Sequence, residues 1–103
     1  MYMGMFSSLF GSPSDKYSQI EHPLSELKIR ELVSRSKVIS LSQAEEALVE
    51  QTILKARMGN GKISMRKIDE ILRKLMNTNK ISLQDKQGLI KVFNRYYTEK
   101  FGK

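Results

Sequence analysis

A short segment of aliphatic, serine and aliphatic residues occurs three times in this chain, as Val38-Ile39-Ser40-Leu41, Lys62-Ile63-Ser64-Met65 and Lys80-Ile81-Ser82-Leu83. Each copy stands before a run whose apolar residues recur every three or four positions. A serine placed there accepts a hydrogen bond from a free amide of the first helical turn, and the isoleucine before it is positioned to staple against the fourth helical residue. Gln43 and Asp85, three residues after their serines, are placed to close capping boxes, and Ile63 with Ile68 is the best staple pair. The three copies therefore read as three helix starts. Their spacings of 24 and 18 residues, with little similarity beyond the caps, argue against a solenoid repeat.

A further helix precedes them. Pro23 suits a first helical turn, where a missing N–H costs nothing, and Leu24, Leu27, Ile29, Leu32 and Val33 then recur as far as Ser36. The helices are expected at about 23–36, 41–58, 65–76 and 83–100. In the second, Glu45, Glu46 and Glu50 lie toward the start and Lys55 and Arg57 in the last turn, an order that suits the helix dipole, with Gly59 as a left-handed cap. The third is the cleanest amphipath, with Met65, Ile68, Ile71, Leu72, Leu75 and Met76 on one stripe and Arg66, Lys67, Glu70, Arg73 and Lys74 on the other face. In the fourth, Phe93, Tyr97 and Phe101 recur every four residues as core, which leaves Tyr96 as the freest ring. No alternating strand is found. The chain of 103 residues has room for one domain, and the expected fold is all-α: a small four-helix, three-plus-one bundle over residues 23–103 behind a flexible N-terminal arm over residues 1–22.

Charge is the best functional clue. Residues 1–50 carry five Lys or Arg and seven Asp or Glu, whereas residues 51–103 carry thirteen and four, so a net of −2 faces a net of +9. Polyanions bind such surfaces by releasing condensed counterions, and Arg66, Lys67, Arg73 and Lys74, joined by Lys86, Lys91 and Arg95 from the fourth helix, are the candidate nucleic-acid contacts. A helix-turn-helix reading, with Gln84, Lys86, Gln87 and Lys91 facing a major groove, is weakened by the long turn and by Lys86 standing where such a helix buries an aliphatic. The second functional reading is a protein-interaction module with an acidic partner or with an apolar hook of Met5, Phe6, Leu9 and Phe10 as its docking element. A core this thin gains from dimerisation, so self-association is a further expectation.

Several chemistries are excluded. There is no cysteine, and the single histidine, His22, reads as a solvated or capping residue and leaves no basis for a two-imidazole site. Gly59-Asn60-Gly61-Lys62 lacks the glycine and hydroxyl that a phosphate loop requires, since Ala56 and Ile63 hold those positions. Read as a calcium loop with Gly61 in sixth place, the same stretch puts Ala56, Met58 and Lys67 where oxygen ligands belong. The pairs Glu45-Glu46 and Asp69-Glu70 read as solubilising charges. The chain is thus expected to be a non-enzymatic binding protein without metal or cofactor. A cytoplasmic setting fits the lack of cysteine and of any apolar run near the ~20 residues that span a bilayer.

Overall fold

The computed structural model describes residues 17–35 and 41–102. Its elements are a strand β1 (Glu21–Pro23), helix α1 (Glu26–Arg35), helix α2 (Gln43–Ala56), a strand β2 (Lys62–Ser64), helix α3 (Met65–Asn77) and helix α4 (Leu83–Phe101). The protein is a small, mostly helical bundle. Helix α1 packs on α2 and α4, α3 packs on α4, and α2 packs on α3, so the four helices close around one core.

Every helix opens on a serine. The Ser25 hydroxyl accepts from the Lys28 amide, Ser42 from Glu45, Ser64 from Lys67 and Ser82 from Asp85. Glu45 and Asp85 return a bond to the backbone amides of Ser42 and Ser82, which completes two capping boxes. Two of these starts agree with the sequence reading. At α2 the cap is Ser42, while Ser40 and the segment about it lie outside the described residues. Ser42 has the better partner, because a carboxylate at the third position complements the positive end of the helix more strongly than the amide of Gln43. At α3 the staple forms, with Ile63 and Ile68 both buried.

Pro23 does not begin a helix. It ends β1, which pairs antiparallel with β2 in the register Glu21 with Ser64, His22 with Ile63 and Pro23 with Lys62. A strand proline is tolerated where its partner needs no donor, and Lys62 meets that condition: its N–H donates to Asn60 Oδ1 at 3.0 Å and its carbonyl accepts from Met58 N at 2.9 Å, both inside its own turn. The ladder resumes one residue on, with Leu24 N donating to Gly61 O at 3.2 Å. This sheet corrects the expectation of no strand. It also ties down the end of the supposed arm, since Ser18 O accepts from Arg66 N and Tyr17 packs against the core.

The left-handed positions also differ from expectation. Gly59 is not one of them: α2 stops at an extended Arg57, and the positive φ falls at Gly61 (79°), which turns the chain into β2. Helix α3 ends with Asn79 at φ 62°, with Asn79 N bonded to Met76 O and Lys80 N to Leu75 O, the paired bonds of a Schellman ending. Arg57 lies beyond the last turn of α2 and folds back, its Nη1 donating to Leu24 O at 2.9 Å, so it fastens the turn to the chain entering α1.

The core runs from Leu24, Ile29, Leu32 and Val33 through Val49 and Ile53 to the α3 stripe and then Leu89, Phe93 and Tyr97. The Tyr97 hydroxyl donates to Ile63 O at 2.8 Å, so the end of α4 is bonded to the sheet. Beside it His22 stacks on Phe101 with ring centroids 3.9 Å apart, which makes His22 half-buried packing and not a solvated cap. Tyr96 is likewise not free: it is half-buried, and the Lys28 ammonium sits 5.1 Å from its ring centre.

Burial, with a smaller contribution from Tyr96, pushes the Tyr97 hydroxyl far above the ordinary tyrosine value. Above about pH 10 the unfolded chain therefore releases a proton that the folded chain retains, and stability falls as pH rises. Urea denaturation of Tyr97→Phe is expected to show a loss of about 1–2 kcal/mol near neutral pH from the missing bond to Ile63, and a shallower alkaline decline than the parent chain. An unchanged alkaline limb would assign that decline to other groups.

Candidate functional site

Helix α3 carries its polar residues on two stripes, not on one back face. Arg66, Asp69 and Arg73 recur at helical spacing on one, and Lys67, Glu70 and Lys74 on the other, about 100° away. The first stripe turns inward. Asp69 is 1% exposed, and its carboxylate is met by Arg73 Nη2 at 2.9 Å and by Lys86 Nζ of α4 at 3.7 Å. Asp69 is therefore a buried charge hub that joins α3 to α4, contrary to its reading as a solubilising charge. Lys86 points at α3, which accounts for its place in a register where an aliphatic was expected. Arg66 Nε donates to Tyr17 O at 3.2 Å, so this side chain holds the segment before β1. Burial and then the Asp69 charge both raise the Tyr17 hydroxyl pKa.

Of the seven cations singled out from the sequence, Arg66, Arg73 and Lys86 thus have internal partners. The other four face solvent. Lys67 lies 3.9 Å from Glu70 with both side chains about half exposed, a pairing worth about 0–1 kcal/mol. Lys74 and Lys91 are exposed and make no ion pair among the described residues. Arg95 is exposed beside a polar depression of about 320 Å³ lined by Leu32, Val92, Tyr96 and Glu99. Lys91 and Arg95 stand one turn apart on α4, whereas Lys67 and Lys74 stand two turns apart on α3. The hook residues Met5, Phe6, Leu9 and Phe10 lie outside the described residues.

Lys67 and Lys74 border a feature that charge counting missed. Between α2 and α3 runs an open groove of about 420 Å³, lined by Leu48, Thr52 and Ala56 on one wall, Ile71 and Leu75 on the other, and Lys67, Glu70, Lys74, Thr78 and Lys80 along its rim. Its surface is mostly apolar. The Thr52 hydroxyl donates to Leu48 O at 2.7 Å and the Thr78 hydroxyl to Lys74 O at 2.9 Å, so both hydroxyl protons are committed to backbone carbonyls. The signal in the sequence was an unused one: Leu48, Thr52 and Ala56 recur every four residues along α2, a row that runs from the exposed Leu48 to the half-buried Ala56 at the margin of the stripe that buries Val49 and Ile53.

The turn from Arg57 to Lys62 offers no phosphate cradle. Met58, Gly61 and Lys62 all donate their amides inside the turn, to Lys62 O, Met58 O and Asn60 Oδ1. Among the described residues no group of three or more His, Asp or Glu side chains is placed to hold a metal ion, and no helix is long and apolar enough to cross a membrane. No family profile, curated protein or solved structure matches the chain.

The Asp69 hub yields a stability test. Asp69→Asn leaves two cations in a partly dry site and is expected to cost about 2 kcal/mol, less than a fully buried pair because Arg73 and Lys86 retain side-chain exposures of 23% and 17%. In a double-mutant cycle by chemical denaturation, Arg73→Met is expected to cost at least 1 kcal/mol less in the Asp69→Asn background than alone, roughly the coupling of groups in direct contact. Additive losses would mean that the two side chains act separately.

Proposed function

We propose that this chain is a non-enzymatic interaction module, and that its partner is a protein segment bearing carboxylates. The observation that carries this reading is the meeting of exposed lysines, Lys67 beside Glu70 and Lys74 and Lys80 without an ion pair among the described residues, with an apolar groove. Protein interfaces combine an apolar centre with a polar rim, whereas phosphate backbones are held by polar and cationic groups and gain little from buried leucine or isoleucine. The strongly basic C-terminal half supplies long-range attraction for any anionic partner. Three of the cations expected to meet phosphates have internal partners, which thins the face on which a nucleic-acid reading depends.

Nucleic acid is the second reading, favoured by a different observation. Lys91 and Arg95 form an exposed cationic edge on α4, and Lys74 on α3 is equally free of ion pairs among the described residues. Binding there would proceed through phosphate contacts with little sequence preference.

Fluorescence anisotropy separates the two. Labelled duplex DNA, single-stranded DNA and RNA are titrated at several salt concentrations, alongside a labelled acidic peptide built from leucine and glutamate. The nucleic acids are expected to bind alike and to be lost by about 0.15 M salt, as bulk charge requires, while the peptide remains bound. Nucleic-acid binding that survives near-physiological salt with a log–log slope of about −4 or steeper, and that collapses on charge reversal of Lys74, Lys91 and Arg95, would replace the protein reading with the nucleic-acid one.

A further inference from the structure

We infer that the groove between α2 and α3 receives an acidic amphipathic helix, whose aliphatic face fills the trough and whose carboxylates meet Lys67, Lys74 and Lys80. The inference rests on the preceding reading and specifies the site and the shape of the partner.

Three features of the groove select this occupant. Its floor and walls offer apolar contact and few free donors, because the hydroxyls of Thr52 and Thr78 are already bonded to Leu48 O and Lys74 O. A partner gains there by inserting methyl and methylene groups. The volume of about 420 Å³ falls in the range of about 300–1,000 Å³ typical of ligand sites, and the open trough admits a row of side chains. No aromatic ring lines it, so bases have no stacking platform.

Charge placement then sets the pattern of the partner. Lys67 and Lys74 are seven residues apart on one helix, about 10 Å along its axis. A second helix laid alongside matches that spacing with carboxylates two turns apart, and apolar residues at positions between them face the groove. Glu70 lies between the two lysines and repels a carboxylate placed opposite it. The best partner is therefore apolar at its centre and acidic toward both ends of the contact. A second copy of this chain is disfavoured by its own net charge of +7.

The test uses the full chain, labelled with ¹⁵N, and three probes. The first is a leucine–glutamate peptide with its leucines on one helical face, the second a peptide of the same composition scrambled to remove that stripe, and the third a single-stranded oligonucleotide. The first is expected to move the amides of Leu48, Thr52, Ile71 and Leu75 and to bind roughly tenfold or more tightly than the scrambled peptide, because only it presents an apolar row to the groove. Leu48→Glu, at an exposed position that leaves the core intact, is expected to weaken it by a similar factor without changing the thermal melt. Lys67→Glu with Lys74→Glu is expected to do the same.

Equal binding of both peptides, or binding of the first that ignores Leu48→Glu, overturns the groove assignment while leaving an acidic protein partner in place. Failure of both peptides with tight oligonucleotide binding overturns the underlying reading as well. Oligonucleotide shifts centred on the same four amides overturn the assignment of this site to a protein.

Discussion

Six residues of sheet set the geometry on which the bundle depends. Glu21–Pro23 and Lys62–Ser64 lie about forty positions apart, and their pairing places the entrance to α1 beside the entrance to α3. A two-stranded ribbon this short is not stable alone in water. It persists because its strands are held from outside: the Tyr97 hydroxyl bonds to Ile63 O, the His22 ring lies on Phe101, and Arg57 fastens Leu24 O. The end of α4 is therefore part of the sheet's support, and the sheet in turn fixes where α1 and α3 begin. Sheet and helix end stabilise each other as one cooperative unit.

Helix starts were legible because a cap is a local device. A serine hydroxyl and an amide three residues on need no distant partner, so Ser64 and Ser82 can be read from their neighbourhoods alone, and Asp85 announces its box. Ser42 was equally legible through Glu45, and the repeated Ile-Ser-Leu segment drew attention to Ser40 instead. The strands were not legible. Three residues show no period, and nothing near Pro23 signals that Lys62 spends its N–H and carbonyl within its own turn, which is the condition that admits a proline. His22 reads as solvated from its polar neighbours, yet its ring rests on a residue 79 positions later.

The cationic face shows the same limit in electrostatic form. Counting charges on a helical wheel assigns Arg66, Lys67, Arg73 and Lys74 to one surface, because the wheel has no knowledge of what packs against each side. Once α4 lies along α3, one of its residues, Lys86, reaches the carboxylate of Asp69, and the nearer half of that surface becomes interior. Asp69 with Arg73 is visible as a pair four residues apart on one helix, a modest surface interaction in isolation. Burial makes it consequential, since a carboxylate at 1% exposure must keep its cations. Net charge predicts attraction at long range, and packing decides which cations remain to meet a partner.

The groove follows from the way α2 distributes its apolar residues. Helix α3 gathers Met65, Ile68, Ile71, Leu72 and Leu75 toward the interior, whereas α2 buries only Val49 and Ile53 and spreads Ala44, Ala47, Leu48, Leu54 and Ala56 around its circumference. A helix with so narrow a buried stripe cannot cover the full width of its neighbour. Along the line where α2 meets α3, small side chains at Thr52 and Ala56 leave a groove that the edges of the otherwise buried Ile71 and Leu75 line, and Leu48 stands 37% exposed at its margin. Of the lysines that border the groove, Lys67 lies 3.9 Å from Glu70, while Lys74 and Lys80 make no ion pair among the described residues. An apolar trough and a largely cationic rim thus lie side by side, and that juxtaposition is what the proposed acidic helix would answer.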